Sequence, residues 1–212
     1  MSGPPLSPAD VDRLRATLVA GGVAVFPADT VYGLGCHPAH EAAVRRLYEL
    51  KGRPPTRPAA VMFFALDAAL AALPELESAE TAVVRALLPG PLTLLLPNRE
   101  RRYPLACVGA EPDAANTIGL RVPLLPGRLA ALTALELPLL QSSANLSGAP
   151  DARTLAQVPA SIRAAADIVL DGGDLPGVPS TVLDLRRYAA AGEWHVVREG
   201  PLGPAEIESR LS

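Results

Sequence analysis

The hydrophobic positions along the chain follow two spacings, one typical of helices and one of buried strands. Val11, Leu14 and Leu18 recur every three or four residues, after a potential cap at Ser7 and before a pair of glycines, which predicts a first helix. Similar spacing predicts further helices, which cover 42–50, two short stretches within 68–88, 128–136 and 204–211.

Short apolar runs bounded by proline, glycine or polar residues predict the strands. They cover residues 23–26, 61–64, 92–96, 117–122, 139–140, 167–170, 180–184 and 194–197. The glycine-punctuated stretch 29–35 and the polar stretch 97–116 predict loops. Helices and strands interleave without strict β-α-β order, so we expect an α/β fold with a mixed, twisted sheet and helices on both faces. A chain of 212 residues, 49% hydrophobic, suits a single domain over 1–212.

Charge and cysteine content narrow the class of protein. The net charge of −3 and the pI near 5.6 argue against general binding of nucleic-acid phosphates, so any tRNA contact is expected to be weak and local. Two cysteines are too few for a disulfide framework, and the first residues lack the basic and apolar segments of a signal peptide. The apolar runs stop well short of the roughly 20 residues of a membrane span. We therefore expect a cytoplasmic protein that does not enter a membrane.

Lys51 is the single lysine of the chain, beside eighteen arginines. A general bias that replaces lysine by arginine would spare a position where a compact charge must meet a phosphate or carboxylate oxygen. Chance survival explains the composition equally well. Lys51 is thus a candidate before any motif is considered.

Several common site signatures are absent from the sequence. It has no phosphate loop of the G-x-x-x-x-G-K-[ST] type, no G-x-G-x-x-G after the first strand, no H-E-x-x-H and no C-x-x-C. Cys36, His37 and His40 supply at most three metal ligands and lack an evident fourth, so no metal site is predicted. No G-x-S-x-G elbow supports a serine triad.

Polar residues at predicted strand ends remain as candidates for chemistry. Lys51 and Arg53 flank Gly52, so one loop can direct an ammonium and a planar guanidinium to a single polyanion. Thr117 and Arg121 lie four residues apart on one strand and therefore share a face.

Two more pairs extend this set. Ser143 and Asn145 lie where a strand enters a turn, and their hydroxyl and amide can bind phosphate or ribose. Ser180 and Arg198 occupy similar strand-edge positions. Each residue alone is more simply a turn cap or a solvated charge. The combination predicts a site for a triphosphate or a carboxylate.

Five segments, in chain order, carry a resemblance to a known family. They are FPADTVYGL at 26–34, KGRP at 51–54, PGPLT at 89–93, SANLSG at 143–148 and STV at 180–182. Together they resemble the motifs of the YrdC-like threonylcarbamoyl-AMP synthases, and the resemblance extends over a core from about 10 to 200. The K-x-R and S-x-N elements of the family fall on the candidates above, including the single lysine.

The resemblance implies a reaction. L-threonine, bicarbonate and ATP would give threonylcarbamoyl-AMP and pyrophosphate, and the adenylate would pass to a tRNA threonylcarbamoyl-transferase complex. Such a displacement needs positioning and charge stabilisation rather than a nucleophilic side chain. Mg²⁺ would accompany the triphosphate, although the sequence shows no dedicated carboxylate site.

The resemblance also assigns the site residues. Those implied to bind ATP are Lys51, Arg53, Thr117, Ser143, Asn145 and Arg198, with Lys51 and Arg53 as the catalytic cations. Those implied to bind threonine are Thr30, Arg121 and Ser180, with Arg121 pairing the carboxylate.

The chain departs from the family pattern at three positions. Ala28 stands where a threonine is frequent, Arg57 where an asparagine is common and Met62 where a histidine often occurs. Arg57 and Met62 bring into question the nucleotide and threonine contacts that are usual at those positions. A methionine, in particular, is a poor hydrogen-bonding group. The sequence ends soon after Arg198, so by the resemblance we expect the single-domain type, without the extra C-terminal domain of longer members. The segment 97–116 is expected to act as a lid, since it is long and polar.

Three other functions fit parts of the sequence. A paralogue could bind nucleotide or hydrolyse threonylcarbamoyl-AMP with the same pocket. An RNA-binding module could use Arg53, Arg57 and Arg121, although the chain has few aromatic residues for base stacking. A carbamoyl-transfer domain of a larger maturation enzyme would need neighbouring domains that 212 residues do not contain.

Overall fold

The computed structural model describes residues 3–54, 58–107 and 114–212. Its α-helices are α1 (Pro8–Val19), α2 (Glu41–Lys51), α3 (Leu66–Ala72), α4 (Ser78–Leu87), α5 (Ala160–Ala165), α6 (Tyr188–Ala191) and α7 (Pro204–Leu211). Its strands are β1 (Val23–Pro27), β2 (Tyr32–Cys36), β3 (Ala60–Met62), β4 (Leu92–Pro97), β5 (Thr117–Arg121), β6 (Leu139–Ser143), β7 (Ile168–Val169), β8 (Thr181–Asp184) and β9 (His195–Arg198). Short 3₁₀ helices cover Ala114–Asn116, Gly127–Ala134 and Leu155–Gln157.

The strands form one mixed sheet, which confirms the predicted fold class. Its order is β7-β1-β2-β6-β3-β5-β4-β8-β9. The pairs β1–β7, β3–β5 and β4–β8 are parallel, whereas β1–β2, β2–β6, β3–β6, β4–β5 and β8–β9 are antiparallel. Helix α1 packs on β1, α2 on β1 and β2, and α4 on β4 and α7. Within the described ranges, no helix is both long enough and apolar enough to cross a membrane.

Local chemistry explains where the first two helices begin and end. The Ser7 hydroxyl accepts a hydrogen bond from the Asp10 backbone N–H, and the Asp10 carboxylate accepts one from the Ser7 backbone N–H, which forms a capping box at the start of α1. Helix α2 ends at Gly52, whose φ of 56° is left-handed. This turn separates the buried Lys51 from Arg53, which lies in the next loop and lines a cavity.

The loop predicted over 29–35 is confirmed only for residues 29–31, because Tyr32–Cys36 forms the buried strand β2. Gly33 lies opposite Phe26 in the ladder. A Cβ on Gly33 would lie 3.0 Å from the Phe26 ring, and a Cβ on Gly35 would lie 2.9 Å from it. These glycines therefore make room for an aromatic ring on a neighbouring strand rather than for a turn.

Other differences from the sequence prediction concern short elements. The predicted helix at 128–136 is a 3₁₀ helix over Gly127–Ala134. Strand β6 ends at Ser143, where the sequence predicted that a strand enters a turn. Helices α5 and α6 had not been predicted, since six and four residues show too little spacing. Residues 108–113 of the expected lid lie outside the described residues.

The alternation of side chains in the sheet creates one face for a site. On β5, Ile118 and Leu120 are buried in the core, whereas Thr117, Gly119 and Arg121 line a cavity. The adjacent strands follow the same rule, with Thr93, Leu95 and Val182 on the cavity side. The sheet thus presents a polar face to the cavity and an apolar face to the core.

Candidate functional site

A cavity of about 410 Å³ lies over this face of the sheet. It brings together six of the nine residues that the sequence singled out, namely Arg53, Thr117, Arg121, Ser143, Ser180 and Arg198. These residues come from the loop after α2 and from the ends of β5, β6, β8 and β9. Residues more than 140 positions apart in sequence therefore surround one space.

The charge of the cavity lining is unbalanced. Arginines 53, 121, 186 and 198 line it, and Asp151 is the carboxylate among the described lining residues. Cations that line one cleft with low-dielectric walls raise the local concentration of anions. The cavity is suited to a ligand with several negative charges.

Arg121 is the most enclosed of these cations. Its Nη2 donates to Asp29 Oδ1 at 2.7 Å and lies 3.5 Å from Thr30 Oγ1, and its Nη1 lies 3.3 Å from Gln141 Oε1. Burial lowers the pKa of Arg121, while the Asp29 carboxylate opposes that change. Among the described residues, no protein acceptor pairs with the buried Arg121 Nε. Arg121 lines the cavity, and these contacts fix the orientation of its guanidinium.

Thr30 is placed beside this arginine rather than on the cavity wall. Its side chain is buried, and its backbone oxygen accepts a hydrogen bond from Gly177 N. Thr30 thus supports Arg121 in the structure as described. Its predicted contact with threonine stays a prediction.

Ser180 and Arg198 form a second polar group on the far side of the cavity. The Ser180 hydroxyl lies 2.8 Å from Thr93 Oγ1, and Arg198 Nη2 donates to the Ser180 backbone oxygen at 2.7 Å. Burial lowers the pKa of Arg198, and Asp151 opposes that shift. Strand β4 lies between β5, which carries Arg121, and the strands β8 and β9 that hold this group.

Arg53 lines the cavity from the loop after α2, next to the interior strand β6. Its Nη1 donates to Ser142 Oγ at 3.1 Å and its Nη2 to the Pro58 backbone oxygen at 2.6 Å. These two contacts fix the guanidinium at the end of β6, next to Ser143. The Arg53 guanidinium is therefore oriented to bind an anion in the cavity.

Lys51 does not line this cavity, which differs from the shared polyanion contact expected for Lys51 and Arg53. Lys51 is 2% exposed, and its ammonium donates to the backbone oxygens of Ser143 and Asn145 and to Asn145 Oδ1. Burial, and next the Arg53 charge, lower the pKa of Lys51 to about 8, while Asp151 opposes the shift. The observed contacts give Lys51 the task of holding the loop after β6.

Asn145 belongs to the same loop network. Its Oδ1 also accepts from the Ser143 hydroxyl at 2.7 Å, and its Nδ2 donates to the Ala149 backbone oxygen. Asn145 is buried and lies outside the cavity lining. The S-x-N motif thus shapes the turn that presents Ser143.

The structure also locates the departures from the family pattern. Ala28 and Met62 are both fully buried. Met62 ends β3 beside Arg121 in the ladder, where it packs in the core. Arg57 lies outside the described residues.

The sequence prediction missed Gln141, Asp151 and Arg186. Gln141 and Asp151 are single polar residues in ordinary surroundings, and no spacing rule marks them. Arg186 follows the predicted strand 180–184 at the alternate position, so the period of two could have placed it on the face of Ser180.

Comparison with known proteins identifies the class. The Sua5_yciO_yrdC family model, described as telomere recombination, matches residues 16–200. All the residues described as lining the cavity lie within this range. The chain belongs to this family, as its motifs predicted.

Particular relatives carry a more specific name. Threonylcarbamoyl-AMP synthase from Xanthomonas euvesicatoria is 38% identical over 165 residues, which cover 77% of this chain and 86% of the relative. A protein of the same name from Pyrococcus abyssi is 32% identical over 198 residues, covering 92% of this chain. The crystal structure of P. abyssi Sua5 complexed with L-threonine superposes with a TM-score of 0.82 at 29% identity, over 97% of this chain and 58% of that one. The chain spans little more than half the length of these archaeal proteins, 56% for the sequence relative.

Proposed function

We propose that this protein is a threonylcarbamoyl-AMP synthase, a nucleotidyltransferase that uses L-threonine, bicarbonate and ATP. The observation that supports this most is the single cavity in which Arg53, Ser143 and Thr117, predicted for ATP, face Arg121 and Ser180, predicted for threonine. The relatives named for this reaction and the threonine-bound Sua5 structure support the same function.

The threonine carboxylate is proposed to bind at Arg121. Arg121 lines the cavity, and Asp29 sets the orientation of its guanidinium. A charge-assisted hydrogen bond to a pre-oriented guanidinium is stronger than one to a mobile side chain. The threonine hydroxyl and amine would then lie towards Thr93 and Ser180.

The chemistry proceeds in two steps. The threonine nitrogen forms a bond to the bicarbonate carbon with loss of water, which gives a carbamate. A carbamate oxygen then attacks the α-phosphorus of ATP, the bond to the bridging oxygen breaks, and pyrophosphate leaves. Arg53 and Arg198 border the cavity on opposite sides and would offset the charge that develops on the phosphorus oxygens.

Mg²⁺ would arrive with the triphosphate. Among the described residues no cluster of three or more histidine, cysteine or acidic side chains could hold a metal by itself. Mg²⁺ commonly binds one carboxylate together with substrate phosphates and water. Asp151 lies on the cavity wall and could supply that one carboxylate.

The assay incubates the purified protein with ATP, Mg²⁺, bicarbonate and L-threonine and detects threonylcarbamoyl-AMP and pyrophosphate by mass spectrometry. Each substrate is omitted in turn, and L-serine replaces threonine as a matched control. Product that requires threonine and bicarbonate is expected. Binding of ATP without product would favour the paralogue. Transfer of the threonylcarbamoyl group to tRNA by an added threonylcarbamoyl-transferase complex would test the proposed hand-off, which we place in the cytoplasm.

A further inference from the structure

A second cavity, of about 510 Å³, adjoins the first at the outer ends of β4, β5 and β8. Thr117 and Arg186 line both cavities. The second cavity adds Arg187 and His195, together with the carboxylates of Asp184 and Glu193, which pair with Arg186 and Arg187. The space thus continues beyond the residues assigned to the reaction, and Arg186 lies where the two cavities meet.

Arg186 is held in place by a buried carboxylate. Its Nε donates to Asp184 Oδ1 at 3.0 Å and to Oδ2 at 2.9 Å, and its backbone N–H donates to Oδ1 at 3.0 Å. Asp184 is buried, whereas 42% of the Arg186 side chain is exposed. A guanidinium oriented before the ligand arrives loses less conformational entropy on binding.

The position along the sheet indicates which part of a ligand reaches Arg186. Thr117 and Arg121 are four residues apart on β5, which corresponds to roughly 13 Å. Arg186 lies beside Thr117, at the end away from Arg121, in the part shared by both cavities. Threonine bound at Arg121 is too short to span that distance, so the contact belongs to the nucleotide. Of its parts, the phosphates are the ones that a guanidinium binds most strongly.

We propose that Arg186 binds the outer phosphates of ATP and, after the reaction, pyrophosphate. This inference rests on the proposed use of ATP. Asp184 acts as its positioning residue, since its carboxylate accepts hydrogen bonds from the Arg186 side chain and backbone. The proposed contact lies in the part that both cavities share, which Arg187 does not line.

The test measures equilibrium binding and needs no turnover. Arg186→Gln and the control Arg187→Gln are titrated by calorimetry with ATP, AMP and pyrophosphate at constant Mg²⁺. Arg187 lines the second cavity only, and its side chain is 74% exposed. We expect Arg186→Gln to weaken ATP and pyrophosphate by about tenfold, as for one lost charge-assisted contact, and AMP by less than about twofold. Arg187→Gln should leave all three affinities near those of the wild type.

Three results would overturn the inference. They are an unchanged affinity of Arg186→Gln for ATP, an equal loss for ATP and AMP, and an equal loss in Arg187→Gln. Arg186→Lys, which keeps the charge but not the planar pairing with Asp184, should give an intermediate loss and serves if the glutamine variant fails to fold. A wild type that binds ATP yet forms no adenylate would refute the proposed function and leave this comparison valid. A wild type that binds no ATP would refute both.

Discussion

The buried ion pair between Asp29 and Arg121 allows a quantitative prediction for the site. Both side chains are 5% exposed and their atoms lie 2.7 Å apart. Removing one partner of a buried pair leaves an uncompensated charge and typically costs about 3–5 kcal/mol. Asp29→Asn keeps the shape and one acceptor oxygen, so we expect the lower end, about 3 kcal/mol of the free energy of unfolding. For a chain of this size that corresponds to a fall in Tm of roughly 6–12 °C.

The pair should be tested by a double-mutant cycle in urea. Asp29→Asn, Arg121→Gln and the double variant are compared, with Asp67→Asn as a control from the exposed pair Asp67–Arg85. The control should change stability by less than about 0.5 kcal/mol. The double variant should be more stable than the sum of the single changes predicts, because no unpaired charge remains.

The same variants report on function. Asp29 sets the orientation of Arg121, so Asp29→Asn should raise the KM for threonine several-fold more than the KM for ATP. Stability of Asp29→Asn within about 0.5 kcal/mol of the wild type, or strictly additive changes, would refute the reasoning. An equal rise in both KM values would refute the assignment of Arg121 to threonine.

Four further perturbations have defined outcomes. Lys51→Met should raise the KM for ATP by at least about tenfold, because three loop oxygens lose their donor, and unchanged steady-state kinetics would contradict this. Burial lowers the pKa of Lys51 to about 8, so the ammonium contacts exist below that pH and the ATP affinity measured by calorimetry should fall as pH rises through it, but not in Lys51→Met. Gly35→Ala would place a Cβ 2.9 Å from the Phe26 ring and should cost about 1–3 kcal/mol in urea unfolding; a neutral result would show that the ring moves easily. Asp151→Asn should raise the free Mg²⁺ needed for half-maximal rate several-fold, whereas an unchanged Mg²⁺ curve would remove Asp151 from metal binding.

Much of the fold followed from apolar spacing because burial and periodicity are local properties of the sequence. The face of α1 and the strands over 92–96 and 117–121 were predicted for that reason. Strand β2 was not, since its glycines are explained only by the Phe26 ring on β1. The spacing of residues within β2 could not reveal this contact with a side chain on another strand.

The site was predicted in part for a similar reason. The motif residues that meet in the cavity were found through their chemistry and the resemblance, but their directions depend on tertiary contacts. Gly52 turns the chain so that Lys51 and Arg53, two residues apart, serve different places. Asp151 and Arg186 join the cavity through loops whose paths no local pattern fixes.

The contacts of Lys51 also explain why this chain has kept one lysine. Three oxygens converge on a single nitrogen at the end of α2. An ammonium directs three donors from one atom, whereas a guanidinium spreads five donors over a rigid plane and needs more room. On a solvated surface, arginine can replace lysine freely. Where these three oxygens converge, the larger guanidinium would push the loop after β6 and Ser143 apart.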